Sequence, residues 1–118
     1  MFNTYFTGIN AKNFQQALSV FDPSGIIDRN NSSQVQQFAN GVSTTTDSAA
    51  TLVRIEPSDG STVQSAKIRF TSQQQAGYGP QDDPRATCTN WRVTYTLRLS
   101  SSGSYLINNV SGSSHSAC

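Results

Sequence analysis

Thr87-Cys88-Thr89-Asn90-Trp91-Arg92-Val93-Thr94-Tyr95-Thr96-Leu97-Arg98-Leu99 is the stretch from which the fold can be read. Thr89, Trp91, Val93, Tyr95, Leu97 and Leu99 alternate without a break against Cys88, Asn90, Arg92, Thr94, Thr96 and Arg98, the period of a strand with one buried face. The run is long for a strand, which predicts a central and curved one. Outward from it, Ala66, Ile68 and Phe70 alternate with Ser65, Lys67, Arg69 and Thr71 to give a preceding strand. A polar connection from Gln73 to Ala86 separates the two. Ser100 to Ser104 turns the chain into a last strand carrying Tyr105, Ile107 and Val110. Further upstream, Val53 and Ile55 alternate with Leu52, Arg54 and Glu56, ahead of a turn at Pro57-Ser58-Asp59-Gly60.

Before about Thr51 the period is helical. Phe2, Tyr5, Phe6 and Ile9 fall at i, i+3, i+4 and i+7 and form one apolar stripe. Asn13, with Gln16 three residues on, caps a second helix carrying Phe14, Ala17, Leu18 and Phe21, which Asp22-Pro23 ends. Ser32 or Ser33 caps a third, with Val35, Phe38, Ala39 and Val42 on its apolar face. Three N-terminal helices followed by four hairpin-linked strands predict an α+β fold, with the helices packed on one curved antiparallel four-stranded sheet.

At 118 residues the chain has room for one domain, residues 1–118, and one core. Only 13% of residues are charged, so the polar surface falls to 18 Ser, 12 Thr, 10 Gln and 9 Asn, a profile that suits an exported protein. A net charge of +1 argues against a nucleic-acid partner or a membrane-surface electrostatic anchor. No apolar run has the ~18 residues of a spanning helix. Helical periodicity begins at once after Met1, without a signal-peptide pattern, so the expectation is a domain excised from a longer exported or membrane-anchored protein. Cys88 and Cys118 match no metal spacing and have one intramolecular pairing available; a disulfide is favoured over two free thiols, because Cys118 ends a Ser/Gly-rich tail with little else to hold it. One histidine, two cysteines and scattered acids build no metal site, and no cofactor motif is present.

Three short helices and a four-strand meander whose third strand carries Cys-Thr-Asn-Trp and whose last carries Tyr-Leu-Ile-Asn resemble the NTF2-like (cystatin-like, SnoaL-like) superfamily. Tyr5-Phe6, Ile9-Asn10-Ala11-Lys12-Asn13-Phe14, the Gln73-to-Cys88 loop, Trp91 and Cys118 resemble actinobacterial exported domains of that superfamily, often C-terminal to an anchor or kinase. The resemblance implies a cone between sheet and helices. Tyr5, Phe38, Phe70, Trp91, Tyr95 and Tyr105 are then candidate lining for a small apolar ligand as well as core. It also implies what an isomerase or hydratase of this fold acting on an apolar cyclic substrate would need, a donor tyrosine and a carboxylate base. Tyr5 and Asp28 are the candidates, with Asp22 beside them. The inward positions of the organising strand carry no acid, which favours a non-enzymatic sensor, ligand-binding or protein-interaction domain outside the cytoplasm.

Two features lie outside the cone. Arg54, Lys67, Arg69, Arg92 and Arg98, five of the eight basic residues, have outward parity. They read as a solvated face or as an interaction face for an anionic envelope polymer or a protein; the resemblance also allows a homodimer there, opposed by like charges. His115, in the terminal tail, reads as mobile and exposed.

Overall fold

The computed structural model describes residues 1–57 and 62–118. Three helices, α1 (Phe2–Asn10), α2 (Phe14–Leu18) and α3 (Ser32–Gly41), precede four strands, β1 (Thr46–Pro57), β2 (Val63–Gln73), β3 (Cys88–Leu99) and β4 (Tyr105–Ala117). The strands form one antiparallel sheet in chain order, β1-β2-β3-β4. The predicted α+β layout is the observed one. Of the turn expected at Pro57-Ser58-Asp59-Gly60, the residues from Ser58 on lie outside the described residues.

β3 behaves as its alternation predicts as far as Leu97, with Trp91 half-buried, whereas Leu99 at its end is exposed. It pairs with β2 over eleven consecutive residues without a shift, from Gln73↔Cys88 to Val63↔Arg98. Its inward side chains Thr89, Val93, Tyr95 and Leu97 are buried, and opposite them Ala66 and Ile68 are buried as well. Phe6, Leu18, Val20, Phe21 and Ile107 close the core from the helical side and from β4. Gly8 lets α1 lie against α2, since a Cβ there would come within 2.6 Å of the Ala17 nitrogen.

The helices differ from expectation in detail. Asn13 caps α2 as predicted, its Oδ1 accepting from the Gln16 N–H at 3.1 Å, but the helix stops at Leu18 rather than running to Phe21. The chain turns there because β4 offers better partners. Val20 O accepts from Ile107 N–H, and the Asp22 N–H donates to Ile107 O, both at 2.8 Å, setting Phe21 in a parallel bridge with Ile107. Phe21 remains core by this other route. The cap of α3 is Asn31, one residue ahead of the serines, and its Val35, Phe38, Ala39 and Val42 stripe is only half-buried.

The larger correction is β1. It starts at Thr46, five residues ahead of the expected start near Thr51, and its register with β2 shifts twice, between Ser48 and Thr51 and between Leu52 and Arg54. Ala49, in the first shift, has φ +54°. Each extra residue reverses side-chain parity. The residues opposite inward-facing Ile68 and Ala66 are therefore Leu52 and Ile55, not Val53 and Ile55. Among the described residues no helix covers this part of β1, and Leu52, Val53 and Ile55 are 51%, 45% and 48% exposed.

The C-terminal tail is also ordered. β4 continues to Ala117, and Cys88 and Cys118 form the expected disulfide with a Cα–Cα distance of 5.4 Å.

Candidate functional site

Asn10, the last residue of α1, makes two hydrogen bonds with the backbone of Asp47 near the start of β1. The Asp47 N–H donates to its Oδ1 at 2.7 Å, and its Nδ2 donates to the Asp47 carbonyl at 2.8 Å. Lys12, in the turn that follows, donates its Nζ to the Thr45 carbonyl. This clasp fixes where β1 begins. It places Asp47 opposite Ser72 on the inward face of the sheet, where Asp47 is 7% exposed and its Oδ1 accepts from the Ser72 hydroxyl.

A cavity of about 190 Å³ opens at that point, lined by Tyr5 and Ile9 of α1, Asp47, Phe70, Ser72, Gln74 and Trp91 of the sheet side, and Tyr78–Pro80 of the long connection. The Tyr5 and Tyr95 hydroxyls share a hydrogen bond, and the charge of Asp47 acts on both. Burial raises the pKa of each tyrosine above the ordinary phenol range, with the carboxylate adding to it. Burial likewise pushes the Asp47 carboxyl up from the usual carboxylate range, partly offset by the Ser72 hydrogen bond and the Lys12 charge. Among the described residues every fully buried side-chain polar atom has a partner. Asp47 itself lines the cavity, which puts its carboxyl within hydrogen-bonding reach of whatever enters.

The connection between β2 and β3 forms the wall over this cavity. The Gly77 and Gly79 N–H groups both donate to the Pro84 carbonyl, at 2.7 and 3.0 Å, and the Gln74 side chain holds the base of the loop through the Ala86 carbonyl and the Thr89 hydroxyl. His115 pins it from the far side. Its Nε2 lies 2.8 Å from the Asp82 carboxylate and its ring 4.9 Å from that of Trp91. The expectation of a mobile histidine is thus corrected: pairing with β3 and the disulfide next to it make the terminal segment a strand, and His115 sits opposite Trp91.

Of the six predicted lining residues, Tyr5, Phe70 and Trp91 line the cavity. Tyr95 lies beneath Tyr5, 4% exposed and in ring contact with Phe2. Phe38 packs on Tyr5, Phe14 and Phe21, and Tyr105 packs against the core at the other end of β3, opposite Leu99. Asp28 and Asp22 are not brought to Tyr5. The Asp28 Oδ1 accepts from the Asn30 N–H at 2.9 Å, and Asp22 accepts from Ser24 and Asn108. Those bonds hold the Asp22 carboxyl below the usual range, and both residues organise turns. Asp47 is the carboxylate that sequence reasoning passed over.

Of the five outward cations, Arg54 pairs with Glu56 at 3.1 Å beside Lys67, the charge of Arg98 acts on Asp22, and Arg69, two residues from Lys67, stands directly opposite Arg92.

No family model matches this chain, and no curated protein matches it. Solved structures do. A ketosteroid isomerase-like protein from Erwinia carotovora atroseptica SCRI1043 superposes with a TM-score of 0.64 at 12% identity, over 98% of this chain and 88% of that one. RV0760c from Mycobacterium tuberculosis, in complex with estradiol-17beta-hemisuccinate, gives 0.55 at 14% identity over 92% and 85%. A computationally designed 17-OHP binder gives 0.56 at 12% identity over 97% and 94%. The chain has the NTF2-like fold of these proteins.

Proposed function

We propose that this chain is a ligand-binding domain whose cone takes a small, largely apolar ring carrying one polar group. The observation that carries the reading is the Asp47 carboxyl beside the Tyr5–Tyr95 pair in a cavity whose apolar walls are Ile9, Phe70 and Trp91. A few convergent polar groups in an apolar hollow are what orient a small molecule. At about 190 Å³ the hollow lies below the roughly 300–1,000 Å³ of drug-sized clefts, which selects a single ring over a fused system. That two of the structural neighbours are described with a steroid conjugate or as a 17-OHP binder supports an apolar cyclic ligand class. The disulfide supports a place outside the cytoplasm, as in exported actinobacterial domains of this fold and as a sensor module of a longer anchored protein.

Trp91 is the chain's one tryptophan and lines the cavity, so its fluorescence reports occupancy. Titration with phenol and with cyclohexenone should change it saturably in the wild type and much less in a Val42→Phe variant, which fills the hollow from its lining without adding a tryptophan. A wild-type signal that never saturates, or one equal in the filled variant, rejects the reading.

Asp47 favours a second reading, a proton-transfer enzyme of the isomerase type. A carboxylate with a raised pKa is a better base near neutrality, and a tyrosine hydroxyl can stabilise the enolate oxygen that forms. Deuterium exchange into the α-position of cyclohexenone, lost in Asp47→Asn while fluorescence binding persists, is the expected result. Equal exchange in the two proteins removes it.

A further inference from the structure

The outward face of the sheet carries a second hollow, larger than the inner one, of about 470 Å³. Three adjacent strands build it as a grid. Arg69, Arg92 and Ser114 are mutually opposite in one row, and Thr71, Asn90 and Ser116 in another two residues away. Phe70, Trp91 and His115 lie between them with inward side chains, so on this side they contribute backbone and leave a trough crossing the strands between two polar walls. Its six side chains have outward parity, so it is separate from the cavity above Asp47 and its argument does not depend on what fills that cavity.

The chemistry of the trough is one-sided. Arg69 and Arg92 are like charges directly opposite each other, a destabilising arrangement in the empty protein. Among the described residues neither guanidinium has an ion-pair partner, and no carboxylate lines the trough; the acid near the other outward cations, Glu56, is taken by Arg54. On the opposite wall the Thr71 hydroxyl donates to Asn90 Oδ1 at 2.8 Å, which leaves the Asn90 Nδ2 hydrogens directed away from that bond. A row of two guanidinium groups and the Ser114 hydroxyl therefore lies across the trough from a row holding an amide donor and the Ser116 hydroxyl. Guanidinium pairs recognise oxyanions through bidentate, charge-assisted hydrogen bonds. A bare inorganic oxyanion is far smaller than this trough, whose volume falls within the ~300–1,000 Å³ of small-molecule clefts. Its hydroxyl- and amide-rich walls suit a hydroxylated body rather than an apolar one.

We infer that this trough binds an acidic saccharide, with the carboxylate held between Arg69 and Arg92 and the ring hydroxyls meeting Asn90, Ser114 and Ser116. Occupation would relieve the Arg69–Arg92 repulsion that the empty sheet carries.

Amide and side-chain amide NMR titration tests it, with sodium glucuronate as the probe and glucose and sodium sulfate in parallel. Glucuronate should shift the Asn90 Nδ2 and neighbouring β3 and β4 resonances saturably, with binding that weakens as salt is added. Each of Arg69→Gln and Arg92→Gln should weaken it by roughly tenfold, the loss of one charge-assisted contact. Arg98→Gln, on the same face but six residues along β3 from Arg92, should leave it unchanged. The variants' unperturbed spectra elsewhere show that they are folded. The inference is overturned by absence of saturable shifts through the millimolar range, by equal binding of glucose, by sulfate binding as tightly as glucuronate, or by retained affinity in Arg69→Gln and Arg92→Gln.

Discussion

β1 and β3 are each twelve residues long and lie two places apart in one sheet, yet they are held by opposite means. β3 has a neighbour on both sides, keeps one register against β2 while its pairing with β4 shifts twice, and buries Thr89, Val93, Tyr95 and Leu97 beneath the helices. β1 has a neighbour on one side, shifts register twice, and leaves Leu52, Val53 and Ile55 about half exposed. Only its first residues are covered, where Asn10 clasps Asp47. The difference teaches that apolar residues in a strand do not by themselves make core: burial comes from the layer above, and on β1 that layer ends after Asp47. The covered end of the weaker strand is where the candidate ligand-binding carboxyl sits.

The sharpest test of the contrast is truncation in β3. Leu97→Ala should lower stability by ~2–5 kcal/mol, as for large-to-small changes in a closed core, measured by chemical denaturation. A midpoint close to wild type would mean that β3 is not the held strand. Next is the staple at its start. Removing the Cys88–Cys118 bond, whose ends are 30 positions apart in sequence, by Cys88→Ser/Cys118→Ser should cost roughly 3–4 kcal/mol on chain-entropy grounds. The loss should appear first as faster amide exchange over Ser111–Ala117, while β1 exchanges as before. Uniform acceleration across the sheet would show that the bond steadies the whole fold rather than the β3–β4 side.

The third test concerns the covered end of β1. Burial makes folded Asp47 hold its proton more tightly than the unfolded chain does. Its contribution to stability is therefore full below the unfolded carboxylate pKa and is lost as pH rises through the higher folded value. Asp22, whose pKa is lowered, acts in the other direction and loses its contribution as pH falls. Denaturation midpoints across the acidic range should show Asp47→Asn lacking the decline on the rising-pH side. An unchanged profile would place Asp47 in water. The smallest effect belongs to the uncovered end: Ile55→Ala should fall within ~0.5 kcal/mol of wild type, as for surface sites, and a core-sized loss would show that something covers β1 in solution.

The same contrast explains what could be read from the residues. The alternation at Thr87–Leu99 was decisive because a strand with neighbours on both sides and a helical layer above obeys the two-residue period. The three apolar helical stripes were legible for the same reason, although α2 lost Phe21 to hydrogen bonds with Ile107 that only the folded chain provides. Nothing in Ala49-Ala50 announces a bulge, so the parity of Leu52 and Val53 was not recoverable. Asp47 was missed because Thr44-Thr45-Thr46-Asp47-Ser48 reads as a polar connection. The available signal was Asn10 and Lys12 ending an otherwise apolar helix, where side chains able to anchor an incoming strand are needed. His115 was misread because serine-rich sequence has little intrinsic preference for strand; pairing to β3 imposes it.

The two borders of the sheet are guarded differently. Along β4, the segment from Val20 to Ile26 occupies the free backbone groups at Ile107 and Asn108. Along β1, among the described residues, the Asn10 side chain does so at Asp47 and nothing does beyond it, and a long border with exposed Leu52, Val53 and Ile55 is a template for aggregation. The two register shifts break that template, since a bulged strand twists away from a flat partner, and the Arg54–Glu56 pair sets charge amid the apolar run. What β1 loses in regularity it returns as resistance to fibre formation, which matters for a chain with so little charge on its surface.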